Sequence, residues 1–198
     1  MKLKEMKVKT FSLIEEYYPE LKGLAEDEDV LNKINGIVNS VQMELMTYRK
    51  INTSYDFEIK KEDNKVIYID NYIDDMYQLN KIVFYKDNVS YDMPNDATII
   101  LPSDFVGKFT IYYYKNPTLV QVLFKDETAK QKEDENYEFE LDPVLLEIMP
   151  YGIAADLLKM DMISGYGRYF YERYLEKRNS IDTRRTTGVI KIEGGYNV

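Results

Sequence analysis

The chain has no cysteine, no histidine and no tryptophan, and its 198 residues include only 9 glycines and 6 prolines. Without cysteine there are no disulfides, no thiol nucleophile and no thiolate-held zinc or iron–sulfur site. Without histidine there is no serine–histidine hydrolase, no imidazole metal site and no imidazole pH switch. The missing cysteines suit a protein assembled inside a cell. No apolar run reaches about 18 residues and no signal-like segment follows Met1, so neither a membrane span nor an export signal is expected. A hydrophobic content of 44% argues against general disorder. The length suits one domain, or a core carrying an inserted module.

What the chain does have is 19 tyrosines and a formal charge of −9. That charge is uneven. Residues 1–9 hold four lysines against one glutamate, and residues 168–198 hold seven basic against four acidic side chains, so each end is +3. The body between them is therefore −15. A body so acidic is ill suited to binding DNA without regard to sequence, because phosphate needs a positive surface.

The periodicity predicts a short helix over Thr10–Tyr18, capped by Thr10 or Ser12 and stopped by Pro19. Glu26 to Asp29 place negative charge at the start of a second helix. Its apolar stripe runs through Val30, Ile34, Ile37, Val38, Val41 and Leu45. From Ile51 to Leu141 the period changes to two. Strands are expected around Tyr55–Ile59, Val66–Ile69, Leu79–Tyr85, Thr98–Leu101 and Lys108–Tyr114. Lys86-Asp87-Asn88 reads as a hairpin turn into Val89–Tyr91, and Val120–Phe124 as a further strand. Lys125–Asn136 reads as a charged, mobile loop, and Tyr137–Leu141 alternates once more.

Asp142-Pro143 opens a helix with an N-cap acid and a first-turn proline. Pro150 is expected to break or kink it into two stacked pieces. Gly165 and Gly167 precede an aromatic helix through Lys177, and residues 180–198 read as an arm with too few apolar side chains to fold alone. The expected class is α+β: a small helical core bundle with an inserted antiparallel β module and an extended C-terminal arm. The segments are 1–25 (short helix), 26–50 with 142–179 (core), 51–141 (insert) and 180–198 (arm).

No catalytic constellation is found, and no cofactor or metal is expected. Glu26–Asp29 lacks the spacing and glycine of a calcium loop and reads as a helix start. Asp70, Asp74 and Asp75 resemble a paired-carboxylate site but are better read as turn formers. Gly165-Tyr166-Gly167 lacks the lysine and hydroxyl of a phosphate loop. Arg168, Arg173, Lys177 and Arg178, interleaved with Tyr169 and Tyr174, form either a nucleic-acid stripe or an amphipathic helix whose bases are solvated or paired to an acidic neighbouring subunit; the second is preferred. Tyr112-Tyr113-Tyr114 puts rings on both faces of one strand, so one face should meet the core and the other solvent or a partner. Tyr112, Tyr114, Arg168, Tyr169 and Arg173 are the candidate interface residues.

Three stretches carry a family resemblance. Ile34–Tyr48 resembles the first long helix of tailed-bacteriophage head–tail connector (adaptor) proteins. Ile111–Pro117 is similar to the tyrosine-rich strand of the β insert found in some of them. Pro150–Leu158 followed by Tyr169–Tyr174 resembles the closing helices. The resemblance implies a non-enzymatic virion protein, made in the host cytoplasm. It would form a ring, usually of twelve copies, in the neck between capsid and tail. Its implied partners are its own copies, the portal protein and the next neck or tail protein. Genomic DNA would pass through the lumen unbound. Docking on the portal falls to the arm, with Arg184 and Arg185 seeking acidic groups and Val189, Ile190, Ile192 and Tyr196 making apolar contacts. The competing readings are another neck or tail protein such as a tail terminator, a carbohydrate-binding module stacking sugars on Tyr112 or Tyr114, and a hydrolase using Asp70 with Asp74 or Asp75.

Overall fold

A computed structural model describes residues 1–86, 89–121, 137–159 and 165–181. The fold is α+β. Helices α1 (Leu3–Tyr17), α2 (Glu28–Met46), α3 (Pro143–Leu157) and α4 (Tyr166–Asn179) make a helical body. Strands β1 (Ile51–Ile59), β2 (Val66–Tyr68), β3 (Met76–Phe84), β4 (Asp92–Asn95), β5 (Thr98–Ile100) and β6 (Gly107–Lys115) lie between α2 and α3 in sequence. Among the described residues, no helix is long and apolar enough to cross a membrane.

Helix α3 organises the body. Leu145, Leu146, Ile148, Met149, Ile153, Ala154 and Ala155 are all buried, which gives the helix apolar side chains around most of its circumference. A helix of that kind must be enclosed, and α1, α2 and α4 each pack on it. Pro150 does not split it: α3 is one helix from Pro143 to Leu157. The proline removes one hydrogen bond and crowds the preceding turn, together costing about 3 kcal/mol in an isolated helix, but burial against three neighbours outweighs that loss. Asp142 caps the helix by accepting a hydrogen bond from Val144 N at 2.9 Å, as its sequence predicts.

α1 begins seven residues before Thr10. Leu3, Met6, Thr10, Phe11 and Ile14 form its buried face. Thr10 is no cap; its hydroxyl donates to Met6 O at 2.9 Å inside the helix. Leu3 N donates to Tyr137 O, and Phe139 N to Met1 O, so the first residues pair with 137–139. The alternation at Tyr137–Leu141 thus yields a single bridge, Lys2 to Glu138, rather than a strand in a sheet. Asp27 caps α2 through Asp29 N at 2.8 Å and Val30 N at 3.2 Å, consistent with reading the acidic cluster as a helix start.

The β module contains two three-stranded antiparallel sheets, ordered β1-β6-β3 and β2-β5-β4. Phe57, Ile67, Ile69, Ile99, Phe105, Phe109 and Ile111 from both sheets share one core. Phe109 is its centre, stacked on Phe57 at 4.9 Å and near Phe84 at 5.2 Å. The predicted turn runs into residues 89–91, which are in no strand; Asp87 and Asn88 lie outside the described residues. Val120 and Gln121 are likewise in no strand, and Val122–Asn136 lies outside the described residues.

Body and module meet through polar contacts and through Ile51 of β1, which packs on the helical core. Arg49 pairs with Asp142 at 2.9 Å, and Lys115 with Glu140 at 2.6 Å. The stretch after β6 returns along α2, where Asn35, Asn39 and Gln42 line up at helical spacing. Asn39 holds Val120 at both backbone groups, donating to its carbonyl at 2.7 Å and accepting from its N–H at 2.8 Å. Asn35 donates to Gln121 O at 2.8 Å, and Gln42 to Thr118 O at 3.4 Å. Val120, Phe139 and Leu141 then join the core of the helical body.

Two sets of substitutions test this packing. A β-carbon on Gly152 would lie 2.9 Å from both Tyr174 Cε2 and Val41 Cγ1, whereas one on Gly36 would meet nothing within 4 Å. Gly152→Ala should destabilise by about 1–3 kcal/mol through overpacking, while Gly36→Ala should stabilise by about 0.5–1 kcal/mol through helix propensity. Asn39→Ala strands both backbone groups of Val120 and should cost about 2–4 kcal/mol. Urea denaturation of the three variants checks the two signs and the ranking.

Candidate functional site

Residues singled out by the sequence fall on two surfaces. The first is an aromatic shelf where the C-terminal end of α1 meets the start of α4. Gly165, at φ +76°, precedes α4 in the left-handed region. Gly167 lies in the first turn, where a β-carbon would approach Leu158 O to 2.7 Å. This close approach brings α4 onto the end of α3. Tyr17 then meets Tyr169 at 4.8 Å and Tyr18 meets Tyr166 at 4.3 Å, with Phe170 buried beneath. Tyr166 donates to Glu20 at 2.6 Å.

The basic side chains of α4 engage their own chain. Arg168 pairs with Glu172 and Arg173 with Glu176, each at 2.8 Å. Arg178 pairs with Glu44, and Lys177 lies over the Tyr151 ring at 4.7 Å. Arg173 also donates to the Tyr169 hydroxyl at 3.4 Å. Tyr17 and Arg173 together hold the Tyr169 phenol below its ordinary range, while the same contact with Tyr169 raises that of Tyr17. Tyr174 is buried and takes no part in an exposed stripe. The three arginines are thus paired to carboxylates of their own chain, rather than to a neighbouring subunit.

The second surface is the face of β6 carrying Thr110, Tyr112 and Tyr114. Its other face, Phe109, Ile111 and Tyr113, belongs to the module core. Lys81 covers the Tyr112 ring at 4.7 Å, and Lys50 covers Tyr114 at 4.8 Å. Thr110 donates to Asp56 at 2.6 Å and shares a 2.9 Å hydrogen bond with Tyr85. Tyr112 keeps partial exposure, but Tyr114 is only 4% exposed. The expectation that Tyr114 offers a ring to a partner or a sugar is therefore corrected: β6 is the central strand, and the chain covers that ring itself.

The aspartates form no carboxylate pair with a shared role. Asp75 accepts from the Tyr113 hydroxyl at 3.0 Å, and its carbonyl accepts from Asn116 N at 2.8 Å. Asp70 lies in the 3₁₀ turn Ile69–Asn71. Among the described residues, no three acidic side chains are grouped as a metal site. Arg184, Arg185, Val189, Ile190, Ile192 and Tyr196 lie outside the described residues.

Sequence reasoning missed a third feature. A cleft of about 490 Å³ opens between β1 and β2, with Tyr55, Tyr68 and Tyr72 in its lining. These rings come from a strand, a second strand and the turn after it, a juxtaposition that no local spacing reveals. More broadly, the described tyrosines that are strongly exposed are Tyr17, Tyr55, Tyr68, Tyr72, Tyr77, Tyr85, Tyr91 and Tyr171, and six of these eight belong to the β module. The module, rather than the helical body, carries most of the exposed aromatic area. In sequence, the chain matches no known protein family and no curated protein.

The buried phenols give the fold an alkaline limit. Burial pushes Tyr113 and Tyr137 up to about 12, helped by the carboxylates of Asp75 and Glu140 respectively. Burial also raises Tyr174, with Glu44 adding to the effect. An unfolded chain ionises such phenols near 10, so their stabilising contribution is complete below that pH and is lost as pH rises through the folded values. Stability should fall steeply between about pH 10 and 12. Tyr137→Phe should soften that fall, while costing about 1 kcal/mol at neutral pH for its lost hydrogen bonds. Urea midpoints measured across the alkaline range check both effects.

Proposed function

We propose that the protein is a structural head–tail connector of a tailed bacteriophage, assembled as a ring that docks on the portal and extends the DNA channel toward the tail. The observation that carries this reading is the placement of contact surface. A closed helical body supports a β module that emerges between α2 and α3 and holds six of the eight strongly exposed tyrosines. Tyrosine supplies interface area and a hydroxyl at low entropic cost, so a module enriched in exposed tyrosine suits neighbours in an assembly. The stretches that resemble connector proteins, Ile34–Tyr48, Ile111–Pro117, Pro150–Leu158 and Tyr169–Tyr174, fall mainly on α2, β6, α3 and α4 respectively. The acidic body gives a ring lumen along which DNA slides without adhering. In this reading Tyr112, Arg168, Tyr169 and Arg173 contribute to contacts between subunits or with the next neck or tail protein. The C-terminal arm folds onto the portal as it binds, which makes assembly sequential.

Ile181 packs into the core of the helical body, so a truncation that tests the arm begins after it. Removing residues 182–198 should leave a folded protein with an unchanged melting temperature that no longer joins portal-containing heads. Electron microscopy of the full chain mixed with its portal should show closed rings, twelvefold where the portal is twelvefold. A truncated protein that docks normally would refute the role of the arm. A full chain that neither forms rings nor binds the portal would refute the connector reading.

A further inference from the structure

The cleft between β1 and β2 has the chemistry of a binding site. The two strands are consecutive in sequence, yet they enter different sheets, so the connection between them opens instead of forming a hairpin. The floor is apolar: Phe57, Ile59 and Ile67 are buried there. Tyr68 and Tyr72 stand at the lining with 55% and 54% of their surface exposed. Tyr72 is nevertheless fixed from below. Its ring packs on Phe57 at 5.1 Å, and Phe57 stacks on the fully buried Phe109 at 4.9 Å. Tyr55 adds a third ring, 4.9 Å from Phe57. Tyr55 and Tyr72, held by the core, are preorganised platforms, which lowers the ordering cost of a ligand that stacks on them.

The polar groups of the lining identify the kind of ligand. Asp63 brings a carboxylate to the lining; those of Asp56 and Glu58, also lining residues, already engage Thr110 and Lys108, the latter at 3.3 Å, and the lining itself contains no lysine or arginine. An anionic ligand is therefore disfavoured. Asp56 uses Oδ1 for Thr110, Asp63 uses Oδ2 for Lys60 N, and Asn64 uses Oδ1 for Val66 N. The other carboxylate oxygens of Asp56 and Asp63, and the Asn64 NH₂, keep hydrogen-bonding capacity. Asn71 adds an amide that both donates and accepts. A cation would need acceptors alone. A mixed set of donors and acceptors beside flat rings matches a molecule whose hydroxyls do both and whose ring C–H faces are apolar. The volume lies within the usual range for small-molecule sites, about 300–1,000 Å³.

We infer that this cleft binds a neutral glycan, with sugar rings stacked on Tyr68 and Tyr72 and hydroxyls bonded to Asp63, Asn64 and Asn71. The site is not the Tyr112–Tyr114 face, and it stands independently of the connector reading, since ring assembly does not require it. The test titrates the full-length protein with chitotriose, maltotriose, mannotriose and a neutral glycan array. Saturation-transfer NMR and calorimetry are the readouts, a heparin tetrasaccharide is the anionic control and an eight-residue β-forming peptide is the extended-chain control. At least one neutral glycan should bind, and the anionic control should not. Tyr68→Ala and Tyr72→Ala should each weaken that binding about tenfold, the loss of one stacking contact. Tyr72→Trp should retain it, and Tyr112→Ala should leave it unchanged. Both alanine variants remove exposed rings, so their melting temperatures should stay close to that of the parent. Silence across the neutral glycans, binding of the peptide alone, or full affinity in the Tyr68→Ala/Tyr72→Ala double variant would overturn the assignment.

Discussion

A helix with no polar side long enough to face water has to be surrounded, and α3 is such a helix. Its burial sets the positions of the three helices around it, and a tight point is Gly152, where Val41 of α2 and Tyr174 of α4 leave no room for a methyl group. The interior is close-packed, so that contact fixes the separation of α2, α3 and α4 together. The same enclosure explains how a proline persists at position 150 without dividing the helix. Every other feature of the body, from the shelf of tyrosines at α4 to the pairing of the first residues with 137–139, is arranged around this one apolar rod.

The β module is attached by a different kind of force. Its core, centred on Phe109, is separate from that of the helices, and Ile51 at the start of β1 packs on the helical core. Direction comes from polar contacts: Arg49 with Asp142, Lys115 with Glu140, and the amides of Asn35, Asn39 and Gln42 against the backbone of Thr118–Gln121. Such bonds are short-ranged and angular. A partly buried amide network specifies one arrangement because leaving any member unpaired is costly. Asp142 links the two systems, as it caps α3 and also holds Arg49 just after α2. Desolvation works against its ionisation, but the Val144 N–H and the Arg49 guanidinium outweigh that and hold its carboxyl below the usual range. The junction is thus an ionic and amide hinge-pin between two apolar units.

Local pattern made much of this fold legible. The α2 stripe, the Asp142-Pro143 start and the alternation of β6 are one-dimensional signals, and each names its element and type. The start of α1 was legible too, in the spacing of Leu3, Met6 and Thr10, but the lysines between them dilute the apolar signal. Pro150 misled because a propensity of about 3 kcal/mol is a statement about an isolated helix, whereas the energetic context of α3 is three neighbouring helices. The amide ladder was visible only as polar residues at positions 35, 39 and 42 of an otherwise apolar face; a helix that keeps such groups on its buried side needs backbone partners there. The cleft was not legible at all. It depends on β1 and β2 entering different sheets, and topology of that sort is decided by non-local packing.

Tyrosine unites these observations. Two inward-facing tyrosines anchor their hydroxyls, Tyr113 on Asp75 and Tyr137 on the carbonyl of Thr118. Where a ring lies at a junction, a cation covers it, as Lys50 covers Tyr114 and Arg178 approaches Tyr48. Among the described residues, the strongly exposed tyrosine rings concentrate on the module rather than on the body. Phenylalanine at those positions would present the same apolar area without a solvated hydroxyl, inviting non-specific association. A surface tyrosine keeps one end compatible with water and the other ready for an interface. Division of labour follows from that chemistry: the helices build a rigid support from aliphatic side chains, and the sheets hold the aromatic surface out where neighbours can reach it.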